Sequence, residues 1–445
     1  MSFPKYPAYK DSGVEWIGEI PVGWDVLPLK RIFSLKNGAT PKSGQSDFWD
    51  GEITWITPAD LNSERPEIIT HSKRTISVKG AESCAVSIVP KGSIIISTRA
   101  PIGSIGLAGT DLCTNQGCRS LVPDKGVSSK FFLYFFYSAV SELQILGKGT
   151  TFLELSSDSL ASFLLCFPPL PEQQAIASFL DRECGKLDAL IAEQERLIAL
   201  LAEKRQAVIS HAVTKGLNPN ASMKDSGIPW IGMVPEGWEM KRIKDCGCRI
   251  VDCKNRTPEN HPAGKFFVVR TSCIKDGVFI PDSGYFTDEA NFVEWTEKGV
   301  PQFGDVLFTR EAPAGEACLA PENIEFCLGQ RMMFIRPLPQ ILSNKFLLYS
   351  IYGGLARERI IERSKGSTVG HLRVGDVGAL PLLLPPYETQ LAIVDSLEGE
   401  LSNVRILTDA SQKSIVLLKE RRAALISAAV TGKIDVRAQS KAVAA

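Results

Sequence analysis

The sequence predicts an α+β fold: two similar mixed α/β domains, related by a pseudo-two-fold axis, separated by two long antiparallel helices that form a coiled coil. Three observations carry this reading. The chain is an internal duplication. Each copy ends in a proline-free stretch with one apolar stripe, and only a short linker joins the first such stretch to the second copy. The 445 residues are enough for two to four domains of ordinary size.

The duplication shows first at the start of each copy. Residues 10–25 read KDSGVEWIGEIPVGWD and residues 224–239 read KDSGIPWIGMVPEGWE, with ten of sixteen positions identical. Residues 200–214 (LLAEKRQAVISHAVT) and 417–431 (LLKERRAALISAAVT) close the copies with ten identities in fifteen. Between these ends the copies stay in register: 92–97 answers 304–309, Ala100-Pro101 answers Ala312-Pro313, and 148–151 answers 365–368. A period of 214 to 217 residues is far too long for a solenoid or propeller repeat.

Residues 1–168 and 218–386 form the globular parts, rich in Gly and Pro with short β-prone runs at 93–97, 266–270 and 306–309. Apolar helical stretches lie near 130–146 and 344–361. The first long helix, within 169–217, is announced by Pro168-Pro169-Leu170-Pro171 and stops at Gly216. The second, within 387–436, follows Pro385-Pro386 and stops at Gly432, leaving 437–445 as a disordered tail. Some 40 residues at 1.5 Å each give helices roughly 60 Å long.

Leu180, Cys184, Leu187, Ile191, Gln194, Ile198, Leu201, Arg205 and Val208 alternate by four and three. So do Leu397, Leu401, Val404, Thr408, Ser411, Ile415, Leu418, Arg422 and Leu425. That period is a coiled-coil seam. Leu190, Leu197, Leu200, Leu407 and Leu417 widen the apolar band beyond what a two-stranded pair needs, leaving room for further helices. The linker 217–223 puts the second globular part at the far end of the first helix, so a second helix packing on the first must run back. A two-fold arrangement of this kind suits a DNA duplex, whose equivalent grooves recur about every 34 Å.

Composition excludes several classes. Hydrophobic residues are 44% and charged residues 22%, which is ordinary globular usage. No apolar run reaches the roughly 18 residues of a membrane span, and the first residues lack a secretory pattern. Eleven scattered cysteines without such a signal suit a reducing cytosol. Net charge is zero, and neither globular part hides an excess: 16 basic and 16 acidic residues in 1–168, 20 and 20 in 218–386. A DNA binder so balanced must sort its charge onto one face or share the grip with a partner.

The doubled K-D-S-G-x-x-W-I-G-x-x-P-x-G-W opening resembles that of the specificity subunits of type I restriction–modification systems. The turns at Thr40-Pro41 and Thr257-Pro258 add to the likeness, as does P-P-x-x-x-Q (Pro168-Pro169 to Gln173, Pro385-Pro386 to Gln390) before each long helix. The likeness covers nearly the whole chain. It implies that each globular part is a target recognition domain reading one half of a bipartite, asymmetric site in double-stranded DNA. It implies that the helices set the spacer and dock two methyltransferase (M) subunits, through which restriction (R) subunits join. The subunit itself would be non-catalytic and hold no cofactor, the complex using S-adenosylmethionine, ATP and Mg2+ on its partners.

The residues agree. No Walker loop or G-x-G-x-x-G is present. The Pro-Pro sites Phe167-Pro168-Pro169-Leu170 and Leu384-Pro385-Pro386-Tyr387 lack the polar residue that would hold a flipped adenine. Cys246, Cys248, Cys253 and His261 fit no standard zinc spacing, so no metal is assigned. The four histidines form no nucleophile or carboxylate constellation, and His211 reads as a surface residue.

Base readout needs Arg, Lys, Asn, Gln, Ser or Thr on loops where the copies differ. In the first copy these are Lys42, Ser43, Arg99, Asn115, Gln116, Arg119, Lys148 and Thr151. In the second they are Lys254, Arg256, Arg270, Arg310, Gln330, Arg331, Lys365 and Arg373. Lys148 and Lys365, shared by both copies, suit phosphate. The shared Trp16, Trp24, Trp230 and Trp238 suit the framework core. The alternative to a DNA reader is a bivalent protein scaffold, which the balanced charge favours and the divergent basic loops do not.

Overall fold

A computed structural model of the chain describes residues 3–62, 64–147, 153–229, 231–364 and 371–440. The chain divides into two compact units, Met1–Gln194 with Lys413–Ala445, and Glu195–Gln412. The division falls inside both long helices, Leu170–Lys215 and Tyr387–Val430.

In the first unit the opening motif folds as an antiparallel hairpin, Tyr9–Asp11 with Glu19–Pro21. Strand Asp25–Pro28 then pairs with Leu164–Phe167, which ties the beginning of the globular part to its end. Between them lies a five-stranded sheet in the order Phe33–Asn37, Cys118–Pro123, Ile94–Ser97, Ile105–Ala108, Glu67–Ile69. A three-stranded sheet, Leu112–Thr114, Trp49–Ile56, Thr75–Ile76, stands beside it. Ile94, Ile95 and Ile96 are all fully buried, so this central strand reads as a continuous apolar run with no alternation. Helix Ser129–Ser138 brings Phe131, Phe132, Phe135 and Phe136 into the same core, each fully buried.

The second unit repeats the plan. Hairpin Met223–Asp225 with Met233–Pro235 is followed by Glu239–Arg242 pairing with Pro381–Leu384. The main sheet keeps four strands, Arg249–Asp252, Met332–Arg336, Val306–Thr309, Ala317–Leu319. Where the first unit has its edge strand 67–69, a two-stranded hairpin, Ile274–Lys275 with Val278–Phe279, takes the place. Tyr285–Thr287, Phe266–Val269 and Phe326–Leu328 make the smaller sheet, and helix Asn344–Tyr352 fills the core.

The P-P-x-x-x-Q motif has a physical purpose. Gln173 is fully buried; its Oε1 accepts from Ser128 N at 2.9 Å and its Nε2 donates to Pro168 O at 2.8 Å. Gln390 repeats this with Ser343 N at 2.8 Å and Pro385 O at 3.0 Å, and adds Ile341 O at 2.9 Å. Ser128 and Ser343 are the N-caps of the two core helices, so each glutamine bolts the start of a long helix to a capped helix in its domain. Each long helix ends at a glycine with φ +75° or +74°. At Gly432 a Cβ would lie 2.3 Å from Pro21 Cδ and 3.2 Å from the Trp24 ring, so the opening motif packs directly on that cap.

Within the first unit the start of the first helix packs on the end of the second: Phe179, Leu180 and Cys184 share a core with Ile426, Ala429 and Val430. Within the second, Ile209, Ala212 and Val213 share one with Ile393, Val394 and Leu397. Both pairings are antiparallel, as the short linker requires. The seam residues Leu180, Leu187, Ile191, Leu201, Leu397 and Val404 are 7% exposed or less, and Ile198, Leu401, Ile415 and Leu418 are half-buried. The flanking Leu190, Leu200, Leu407 and Leu417 are more than half or about half exposed; nothing in their own units covers them. The tail departs from expectation at Arg437–Ser440, which forms a short helix. Arg437 pairs with Asp435 and stacks over Tyr6 at 4.8 Å, which holds that turn; residues 441–445 lie outside the described residues. Trp24 and Trp238 are buried and Trp16 stacks on Phe163, all as framework; Trp230 lies outside the described residues.

Candidate nucleic-acid interface

The same backbone frame recurs in each domain. In the first, Ala39 N donates to Thr114 O at 2.9 Å, seating the Thr40-Pro41 turn on the connection between strands Leu112–Thr114 and Cys118–Pro123. Gly38 permits this approach, since a Cβ there would fall 2.0 Å from Asn115 O. Trp55 Nε1 donates to Ala39 O at 3.0 Å and Trp49 Nε1 to Lys42 O at 3.3 Å, so two nearly buried indoles hold the turn from beneath. Thr40 Oγ1 donates to Gln116 Oε1. Lys42, Ser43 and Gln116 therefore stand exposed around one rigid turn.

Arg74 belongs with them. Its guanidinium lies 3.6 Å from the Trp49 ring centroid, a stack that holds the charge in place while leaving the side chain exposed. Nothing local in the sequence marks it, because the ring that orients it lies 25 positions away. Two other candidates serve the frame itself. Asn115 turns its Oδ1 back to accept from Gly117 N at 2.9 Å. Arg119 Nε donates to Ser157 Oγ at 3.0 Å and its Nη1 to Gln116 O at 3.1 Å, clamping the turn that carries Gln116. Arg99 is half exposed and 3.2 Å from Glu154. Lys148 and Thr151 lie outside the described residues.

In the second domain Gly329 N donates to Val269 O at 2.9 Å, as Asn115 N does to Ile56 O at 2.8 Å. Gln330, exposed, occupies the place of Gln116, with Arg270 exposed beside it. The display differs around this frame. Arg256 stacks over Trp295 at 4.9 Å and pairs with Glu294; Lys254 reaches Glu294 at 3.0 Å and Glu297 at 3.5 Å. The hydrogen bond from Lys254 holds the Glu294 carboxyl below its ordinary range. Arg331, at φ +71°, lies 3.1 Å from Glu311, to which His371 also bonds. Arg373 is exposed and starts the turn Val374–Gly378, its N bonded to Asp376 at 3.1 Å. Lys365 lies outside the described residues.

Arg310 is a correction. It is 7% exposed, and its Nε sits 3.2 Å from Asp252 Oδ1. Its backbone N donates to Arg331 O at 2.8 Å and its O accepts from Leu372 N at 3.0 Å, as Thr98 does with Gly117 O and Leu155 N in the first copy. A charge so enclosed supports the loop and does not face a ligand. Cys246 and Cys253 are buried in different core clusters, Cys248 is packed against the first of these, and His261 faces Asp288 at 3.3 Å. Among the described residues no group of three or more His, Cys, Asp or Glu could hold a metal ion, and no helix is long and apolar enough to cross a membrane.

The family model for the type I restriction modification DNA specificity domain matches residues 21–198 and again 235–413. The chain is 28% identical over 438 residues to the type I restriction enzyme MjaIX specificity subunit of Methanocaldococcus jannaschii, covering 94% of this chain and 95% of that one. It is 34% identical over 186 residues to the EcoprrI specificity subunit of Escherichia coli, across 39% and 44% of the two chains. In fold it is similar to a chain from a structure concerned with complex assembly and conformational transition of the type I R-M system. That chain has a TM-score of 0.64 at 19% identity, over 92% of this chain and 98% of that one. The HsdS subunit from Thermoanaerobacter tengcongensis is similar at TM-score 0.50 and 19% identity, over 93% and 98%.

Proposed function

Because the chain belongs to the type I restriction–modification DNA specificity family, we propose that it is the non-catalytic DNA-reading subunit of such a complex. Residues 1–168 and 218–386 are the target recognition domains, each reading one half of a bipartite asymmetric site. The helices within 169–217 and 387–436 set the spacer and dock two methyltransferase subunits, through which restriction subunits join. S-adenosylmethionine, ATP and Mg2+ serve those partners, and the assembly works on DNA in a prokaryotic cytosol.

The observation that carries this reading is one frame with two displays. Thr40-Pro41 and Thr257-Pro258, Gln116 and Gln330 recur, while Lys42, Ser43 and Arg74 in one copy answer Lys254, Arg256, Arg270 and Trp295 in the other. Side chains at base edges carry sequence information, so different displays on one frame read different half-sites. The exposed flanking leucines of the helices suit docking of a partner helix. A gel shift of duplex DNA by the chain assembled with its methyltransferase subunit tests the reading. Binding should weaken steeply between 50 and 200 mM salt and discriminate one sequence from scrambled DNA. Tight assembly with no DNA shift would favour the protein scaffold.

A further inference from the structure

We infer that Arg205 and Arg422 are paired positioning residues, each latching one recognition domain to the long helix beside it, so that each arginine governs one half-site. The two occupy the same place in the duplicated closing motif. In the first unit Arg422, 5% exposed, donates from Nη2 to Glu64 O at 2.8 Å, and Tyr137 Oη donates to the same carbonyl at 2.5 Å. In the second, Arg205 Nη2 donates to Asp276 O at 2.7 Å, with its guanidinium 5.6 Å from the Tyr352 ring. Tyr352 Oη accepts from Gly277 N at 2.8 Å, the residue after Asp276. Tyr137 and Tyr352 stand at one place too, each nine residues beyond its capping serine. An arginine, a tyrosine and the backbone of one loop tip thus meet twice.

The captured loops lead to the reading faces. Glu64 follows the 3₁₀ turn Pro58–Asp60, which continues strand Trp49–Ile56 with its two indoles. Asp276 follows the turn Thr271–Cys273, which begins directly after Arg270. A tip fixed to the helix fixes the angle at which that strand meets DNA, where displacements near an ångström change hydrogen-bond readout. The chain order makes the assignment specific: the arginine near the C-terminus controls the first domain, and the arginine of the first helix controls the second.

The latches differ in charge. Arg422 also pairs with Asp188 on the first helix, and Lys419 reaches Glu64 Oε2 at 2.9 Å. At the position in register with Asp188 the second helix carries Arg405, which lines a cavity of about 740 Å³ together with Arg205, Lys275, Asp276, Glu398 and Asp409. The second latch therefore lacks the ion-paired carboxylate of the first, and its arginine is less deeply buried than Arg422, so it is the looser of the two.

The role in half-site reading rests on the proposed function; the latch itself does not, and two readouts on the full chain keep them apart. In hydrogen exchange without DNA, R422Q should speed exchange about tenfold or more in residues 61–67 only, and R205Q in 274–279 only, the size expected for loss of a charged hydrogen bond. Unchanged exchange, or an equal rise in both units, overturns the latch. In methylome sequencing with the methyltransferase subunit, R422Q should raise methylation at sites mismatched in the half read by residues 1–168 about tenfold, leaving the other half strict; R205Q should do the reverse. R205K and R422K, which keep the charge and lose the fork, should give smaller effects confined to the same halves. Equal loss at both halves, or an unchanged motif, overturns the positioning role. If the unsubstituted chain yields no bipartite motif while exchange responds as stated, the DNA-reading assignment fails and the latch stands.

Discussion

Replacing Gln390 by leucine roughly keeps the volume and removes the three side-chain bonds that hold the start of the second long helix. Gln390 is fully buried and makes three bonds: it accepts from Ser343 N and donates to Ile341 O and Pro385 O. Leucine leaves all three backbone groups without their partner, among them the N–H of the residue that caps helix Asn344–Tyr352. A buried group left unpaired costs about 1–3 kcal/mol, with carbonyls toward the lower end, so Q390L should destabilise the chain by about 3–5 kcal/mol. Gln173 makes two such bonds, and Q173L should cost about 2–4 kcal/mol. Urea unfolding of the full chain reads both from midpoint and slope. A loss under about 1 kcal/mol for either, or a larger loss for Q173L than for Q390L, would refute the reasoning that these bonds are enclosed.

Four further outcomes follow. R74A should weaken duplex binding by the assembled complex about tenfold at low salt while costing no more than about 1 kcal/mol of stability, the worth of an exposed cation–π stack; an unchanged affinity would remove Arg74 from the interface. R310A should instead lower stability by about 1–2 kcal/mol, by removing the cation beside Asp252, whose Oδ1 lies 3.2 Å from Arg310 Nε without a hydrogen bond, with DNA contacts affected only through that loss; full stability with lost binding would reverse the correction. Burial pushes the thiols of Cys113, Cys118, Cys166, Cys184, Cys248, Cys318 and Cys327 up to about 12, from about 9 when unfolded. Raised in the folded state, they contribute stability that is intact below pH 9 and lost as pH rises toward 12, so urea midpoints should fall steeply above pH 9; a flat profile to pH 10.5 would contradict this. Lengthening both helices by one turn should widen the spacer and leave each half-site alone, as read from the methylated sequence; an unchanged spacer would end the ruler role.

The duplication, the long helices and their seam were legible because each is local or periodic. Ten identities in sixteen, and a four–three alternation within stretches that stop at Gly216 and Gly432, need no tertiary knowledge. The site residues were legible only as types. Arg310 looked like a loop cation after a β-prone run, although the register of the copies already set it opposite the buried Thr98; its partner Asp252 lies 58 positions back. Lys254 and Arg256 read as free charges because Glu294, which binds both, comes about 40 positions later. Arg74 was invisible for the same reason: its orientation is given by Trp49, across a strand pair. Gln173 and Gln390 were seen as marks of resemblance, and only packing shows them as bolts.

The central claim is that one chain reads two different half-sites with two displays on a common frame. Methylome sequencing of cells expressing the chain with its methyltransferase subunit tests this most directly. The account predicts a new bipartite motif with unlike halves, in which exchange of residues 30–165 for another reading domain alters one half alone. A palindromic motif, a change in both halves, or no motif from a soluble, co-purifying pair would contradict it.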